Sequence, residues 1–186
     1  MARPTIVKSS RKDRGNCRCG SPLAIGVGYR AVSFFRGPTK VRCLAPACAF
    51  RPSELTQSKM SNALAAGEQV EDLIEGWDGT DLPSLQRDIE SETENIREVA
   101  QEYRESADAI REVADNSIAD DMEEKAEGLE EWADEIDAAA TDASEFDEPE
   151  PDDASSEAHQ AWEEEREDHQ QGIEDTINDA LSNFPG

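Results

Sequence analysis

Apolar residues recur with a helical period through the second half of the chain. Two core positions of a heptad pattern run from Leu85 to Val113, and seven of their nine residues are apolar. These positions hold Leu85, Ile89, Glu92, Ile96, Val99, Tyr103, Ser106, Ile110 and Val113. The pattern predicts a helix of about 30 residues, roughly 45 Å long, with a coiled-coil-like apolar seam.

A second helix of similar length is predicted after an interruption of the heptad phase at residues 115–117. Its core stripe alternates spacings of four and three residues, which places the members on one helix face. The stripe comprises Ile118, Met122, Lys125, Leu129, Trp132, Ile136, Ala139, Ala143 and Phe146. Two helices joined by so short a break favour an antiparallel, acidic helical hairpin over residues 81–146. One long bent helix that dimerises is the alternative.

Helices are also predicted on either side of this hairpin. Ser53 has the character of an N-cap, and apolar residues at helical spacing follow it from Leu55 to Trp77. Residues 147–154 form an acidic linker that contains prolines. Residues 155–186 are predicted to form a C-terminal amphipathic helix.

A short β-hairpin is predicted near the N-terminus, between two pairs of cysteines. Residues 28–35 have the composition of a strand, residues 36–39 that of a tight turn, and residues 40–42 form the return strand. The cysteines that flank this hairpin are Cys17, Cys19, Cys43 and Cys48.

Two close thiol pairs separated by 23 residues have the spacing of a four-thiolate metal site. Alternate residues of an extended segment point the same way, so Cys17 and Cys19 can face one ion, and the hairpin returns the second pair to the first. We therefore expect a structural Zn²⁺ held tetrahedrally by all four thiolates. Two disulfides or free thiols are the alternatives, although a Cys17–Cys19 bridge would be strained by its short spacing.

The expected fold is mainly α. A small zinc-bound module of β-hairpin and helix over residues 1–80 precedes the helical hairpin of residues 81–146. The linker of residues 147–154 then leads to the C-terminal helix. Such a chain has little material for a large core, so burial must come from a metal, from helix pairing or from a partner.

Charge divides the chain into two electrostatically opposite parts. Residues 1–66 carry twelve Lys or Arg and two acidic residues, whereas residues 67–186 carry six basic and 42 acidic residues. The chain as a whole has a net charge of -26. This asymmetry indicates that the two parts contact different kinds of surface.

Basic residues interleaved with an aromatic surround the cysteines, a combination suited to phosphate contacts and base stacking. The candidates for nucleic-acid contact are Arg11, Lys12, Arg14, Arg18, Arg30, Phe34, Arg36, Lys40, Arg42 and Arg51. A solvated cationic surface is one alternative. Docking of the basic module on an acidic protein surface, or on the chain's own acidic helices, is another.

Two resemblances accompany these patterns. The order of first thiol pair, Pro22 to Gly26 stretch, hairpin, second pair and helix resembles the poly(ADP-ribose) polymerase type of zinc finger over residues 15–55. The chain departs from that family in its Cys-x-Cys first pair and in having no His in the second pair. The stretches 97–107 and 124–136 resemble a recurrent segment of uncharacterised proteins from phages of high-GC bacteria, which implies a phage source.

The sequence offers no evident nucleophile–base pair, phosphate-binding glycine loop or open metal site, so we expect a non-enzymatic interaction protein. In the first hypothesis, the zinc module contacts nucleic acid or an acidic protein, and the arm self-associates or recruits a partner. In the second, the acidic arm occupies a basic site on a host protein and mimics DNA. The third is a structural or assembly protein of a virion. Without a signal-length or membrane-length apolar run, a cytoplasmic location is expected, that of the host if the chain is phage-encoded.

Overall fold

The computed structural model describes residues 2–34, 37–112, 116–151 and 157–185. Within them the chain forms three short strands, two 3-10 turns and four α-helices. In chain order these are β1 (Thr5–Val7), β2 (Tyr29–Val32), β3 (Lys40–Arg42), the 3-10 turns Pro46–Cys48 and Pro52–Leu55, α1 (Met60–Glu75), α2 (Leu82–Arg111), α3 (Asn116–Asp142) and α4 (Glu157–Ser182). The prediction of a mainly α fold with a small N-terminal β module is confirmed.

The chain divides into two compact units, Met1–Ala65 and Ala66–Gly186. We refer to them as the thiol unit and the helical unit. The domain boundaries drawn from the sequence at residues 80, 146 and 154 remain predictions. None of the described helices combines the length and the apolar character needed to cross a membrane.

The thiol unit contains a three-stranded antiparallel sheet in the order β1-β2-β3. The predicted hairpin is present as β2 and β3, with Ala31 opposite Val41. The sequence did not indicate β1, which pairs Ile6 with Arg30 along the other edge of β2. A small core lies under the sheet, formed by Cys17, Leu23, Tyr29 and Cys43, with Val7, Ala31, Val41 and Cys48 packed against it. Two of the four core residues are cysteines, so the packing of this unit depends on how their thiols are held.

In the helical unit, α2 and α3 pack antiparallel, as contacts that run in opposite directions along them show. Gln86 near the start of α2 donates to the carbonyl oxygen of Ala140, at 2.8 Å, while Arg111 at the end of α2 reaches Asp120 near the start of α3, at 3.3 Å. The predicted seam of α2 is largely buried: Leu85, Ile89, Ile96, Val99 and Tyr103 are all buried. Val113 lies outside the described residues.

The predicted stripe of α3 was partly wrong. Leu129, Trp132 and Ile136 are buried as expected, but Ile118 is 53% exposed. Instead, alanines at seven-residue spacing are buried: Ala119, Ala126, Ala133 and Ala140. Because α3 packs against both α2 and α4, it buries two faces, and a single stripe of large residues does not describe it.

Arginines at seven-residue spacing on α2 bridge to carboxylates of α3. Arg97 pairs with Asp134, at 2.9 Å, and with Asp137. The other bridges join Arg104 to Glu130 and Arg111 to both Asp120 and Glu123. Lys125 pairs with Asp121 within α3, so four of the six Lys and Arg residues of the helical unit have carboxylate partners within the hairpin.

The C-terminal helix α4 is anchored by an aromatic contact with α3. The indole Nε1 of Trp132 donates to the carbonyl oxygen of Ala180, at 3.1 Å, and the Trp132 ring meets Phe184 edge-on with centroids 4.9 Å apart. Ile173 and Ile177 of α4 are buried beside this contact. The helical unit is thus a bundle with α3 at its centre.

Candidate metal centre

The first thiol pair lies on a tight turn that the backbone closes by itself. The N–H of Cys17 donates to the carbonyl oxygen of Ser21, at 2.8 Å, and the N–H of Gly20 donates back to that of Cys17, at 2.9 Å. Gly20 has a φ of 84°, a left-handed conformation that glycine adopts without steric cost. This turn directs both Cys17 and Cys19 towards the second pair.

The second thiol pair follows β3. Cys43 comes directly after the strand, and Cys48 ends the 3-10 turn Pro46–Cys48. Arg30, on the neighbouring strand β2, donates to the carbonyl oxygens of Cys43, at 3.0 Å, and of Ala45, at 2.9 Å. Arg30 thereby fixes the backbone between the two thiols.

The four Sγ atoms come together in a cluster that can hold a metal ion. All of them lie within 4.8 Å of one another, and those of Cys19 and Cys43 are 3.7 Å apart. Four Zn–S bonds of about 2.3 Å in a tetrahedron place the sulfurs about 3.8 Å apart, whereas a disulfide needs about 2.05 Å. All four cysteines are free. The sulfur separations therefore fit tetrahedral thiolate ligation of one ion.

The thiols of the cluster differ in their readiness to ionise. The hydroxyl and backbone N–H of Ser21 donate towards Cys19 and lower its pKa to about 6. The neighbouring sulfurs of Cys19 and Cys43 raise the pKa of Cys48 to about 12. Burial opposes ionisation of Cys17, but hydrogen bonds from backbone N–H groups, first that of Cys43, outweigh it and lower its pKa. A cation in the cluster would favour the thiolate of Cys48 over its hydrogen-bonded thiol.

At least four of the nine cations predicted to contact nucleic acid have side-chain partners inside the thiol unit. Besides Arg30, Arg14 donates to the Tyr29 hydroxyl, at 3.1 Å, and Lys40 lies over the Phe34 ring, 5.6 Å from its centroid. Arg42 pairs with Glu54 and lies over the Phe50 ring. These side chains contribute to the structure of the unit whatever else they contact.

The remaining predicted residues are distributed differently. Arg11, Lys12 and Arg18 are exposed and have no side-chain partner among the described residues. Arg51 is half-buried beside the cluster, and its N–H donates to Glu54, at 3.3 Å. Phe34 is half-buried, and Arg36 lies outside the described residues.

Sequence reasoning missed Glu54 as part of this site. Its two carboxylate oxygens serve different partners, Arg42 on β3 and the backbone of Arg51 after the second thiol pair. A signal was present, because Glu54 and Asp13 are the only acidic residues among residues 1–66. One of only two carboxylates among twelve cations is expected to be paired.

No family model, no curated protein and no solved structure matches this chain. The two resemblances noted from the sequence stay predictions. Assignment of a function therefore rests on the geometry of the thiol cluster and on the charges around it.

Proposed function

We propose that the protein is a non-enzymatic interaction protein whose thiol unit is folded around one Zn²⁺ held by Cys17, Cys19, Cys43 and Cys48. The sulfur separations support tetrahedral ligation, and four thiolates leave no open coordination position for a substrate. The ion would hold together a core that is half thiol. Its role is structural, because metal binding supplies folding free energy to a unit too small to supply its own.

We further propose that the thiol unit binds nucleic acid through its exposed cations. The observation that supports this is the contrast between the two units. In the helical unit, Arg97, Arg104 and Arg111 form salt bridges with carboxylates. In the thiol unit, by contrast, Arg11, Lys12 and Arg18 face solvent without a described partner. Unpaired surface cations are what a phosphate backbone recruits when counterions are released.

The experiment combines metal analysis with salt-dependent binding on the full-length protein. We expect one zinc per chain, and binding of mixed-sequence DNA or RNA that weakens steeply as salt rises. Arg11→Gln should reduce the slope of log affinity against log salt by about 0.7 to 0.9. Arg87→Gln, an exposed exchange of the same kind in the helical unit, is the matched control and should leave the slope unchanged. Binding that is absent at low salt, or independent of salt, would remove the nucleic-acid proposal.

A second candidate function places the partner on the helical unit. Residues 67–186 carry 42 acidic side chains, and the bridges across α2 and α3 leave most of them facing solvent. Such a polyanionic helical surface suits a basic site on another protein, which it would occupy as DNA does. The test asks whether the full-length protein displaces a DNA duplex from a basic DNA-binding protein. The Arg11→Gln variant should displace it equally well. In this case the hairpin α2–α3 is the recruiting arm.

A further inference from the structure

A groove of about 250 Å³ opens beside the thiol cluster. Three arginines line it together with the two less buried thiols: Arg18, Arg42, Arg51, Cys19 and Cys48. Two alanines, Ala47 and Ala49, complete its wall and leave the space open. In this groove, three arginines line one volume large enough for a small oxyanion.

One carboxylate holds the side chain of Arg42 and the backbone at Arg51. Glu54 accepts from the guanidinium of Arg42 and from the backbone N–H of Arg51. Arg42 is further restrained by the Phe50 ring, which its guanidinium carbon covers at 5.6 Å from the centroid. Only 18% of the Arg42 side chain is exposed. A guanidinium fixed as that of Arg42 is loses little conformational entropy when it binds an anion.

The aromatic rings described in the thiol unit are partly covered by the unit's own cations. Each ring that the structure describes there has a cation of the unit over it, within 6 Å of the centroid: Arg14 over Tyr29, Lys40 over Phe34 and Arg42 over Phe50. Tyr29 and Phe50 are also buried. Stacking platforms for single-stranded bases need an exposed aromatic face, so the burial of two of the three rings disfavours recognition through bases.

We infer that the groove of Arg18, Arg42 and Arg51 is a backbone-phosphate subsite, and that the thiol unit binds a nucleic-acid strand by its phosphates without reading its bases. This inference rests on the proposed nucleic-acid function and adds which chemical group of the strand the protein binds. Guanidinium groups present paired N–H donors that match phosphate oxygens. Arg18 is the exposed member, so it can meet a phosphate without disturbing the fold.

Negative charges near the groove offset its guanidinium groups, so the groove positions a phosphate and does not attract the strand from a distance. A zinc tetrathiolate carries two negative charges and Glu54 one, which together balance the three guanidinium groups. Long-range attraction for the strand then comes from the rest of residues 1–66, where twelve cations face two carboxylates. The groove adds directed donors at one point along a strand that the other cations attract.

The test compares two single strands of equal length on the zinc-loaded full-length protein, one with normal bases and one with abasic sugars throughout. The two carry the same phosphates, so we expect their affinities to agree within about threefold. Loss of stacking on even one base would weaken binding by about fivefold or more. Arg18→Gln should lower the salt slope by about 0.7 for both strands. Arg87→Gln is again the matched control.

The outcomes separate this inference from the proposed function. Binding of neither strand at low salt removes both. Strong binding of the normal strand with loss of the abasic strand removes only the inference, because bases are then recognised. An unchanged salt slope in Arg18→Gln, together with weaker zinc retention against a chromophoric chelator, also overturns it, because the arginine then serves the thiolates alone. Preference for a phosphorylated peptide over either strand would assign the groove to a protein ligand instead.

Discussion

The sulfur atoms of Cys19 and Cys43 lie 3.7 Å apart, although 24 positions separate the two residues in the chain. The β2–β3 hairpin and the turn at Gly20 bring them together beside a core of four buried residues, of which Cys43 is one. If the proposed ion holds the thiols, so small a core is expected to unfold when that ion is removed.

Chelation of the metal is therefore expected to unfold the thiol unit and leave the helical unit folded. The buried seam of α2 and the Trp132 anchor of α4 involve no thiol, so most helical circular dichroism should persist. Amide resonances of residues 15–50 should lose their dispersion in the same sample. Cys43→Ser should reproduce this state and respond no further to chelator. Loss of nearly all helix on chelation would contradict the prediction.

Zinc binding at pH 7 is expected to release the proton of Cys48. Without metal, neighbouring sulfurs hold the pKa of Cys48 at about 12, so it is a thiol at neutral pH. Hydrogen bonds from Ser21 bring the pKa of Cys19 to about 6, so it is already a thiolate. Because only thiolates bind the ion, protons compete with the metal. The affinity should fall as the pH falls, and more steeply once Cys19 is protonated below about pH 6.

Calorimetric titration of the metal-free protein in buffers of different ionisation enthalpy measures this release. Cys48→Ser should release about one proton fewer per zinc than the unmodified chain. Equal release by the two proteins would show that Cys48 is not a ligand.

The thiol cluster could be predicted because its signal is local and chemical. Cysteine spacing and a hairpin between the pairs suffice to bring Cys17, Cys19, Cys43 and Cys48 together. The roles of the surrounding arginines could not be predicted in the same way. Whether Arg30 faces solvent or the carbonyl oxygen of Cys43 depends on strand register, which a sequence pattern leaves open.

The burial pattern of the helices could likewise be predicted only in part. Periodicity placed Ile89 and Ile96 of α2 correctly in the core because that helix has one large apolar seam. It failed on α3, where Ala119 is buried and its neighbour Ile118 is exposed. Alanine is compatible with both core and surface, so its burial is decided by the helices that pack on it.

We expect that a residue larger than glycine at position 67 would collide with the Trp132 ring. A Cβ atom at Gly67 would lie 2.5 Å from Cη2 of Trp132, whose indole is fixed by its hydrogen bond to Ala180. Gly67→Ala should therefore destabilise the helical unit by about 1–3 kcal/mol in spite of alanine's better helix propensity.

Gly172 in α4 is the matched control, because nothing lies within 4 Å of its added Cβ. Gly172→Ala should stabilise the same unit by about 0.5–1 kcal/mol. Denaturant unfolding followed by helical circular dichroism measures both. Changes of the same sign in the two variants would show that the Trp132 ring does not fill the space at Gly67.

The buried alanines of α3 are expected to set how closely the helices around it approach. Ala126 has no exposed surface and is the second of the four buried alanines that recur every seven residues. Leucine has nearly the same helix propensity as alanine, so Ala126→Leu tests the space rather than the helix. Overpacking of this kind should cost about 1–3 kcal/mol. Ala138→Leu adds the same side chain at an exposed position of the same helix and should change the free energy of unfolding by less than about 0.5 kcal/mol. Equal stability of the two variants in denaturant titrations would mean that the alanine series does not lie at a close helix contact.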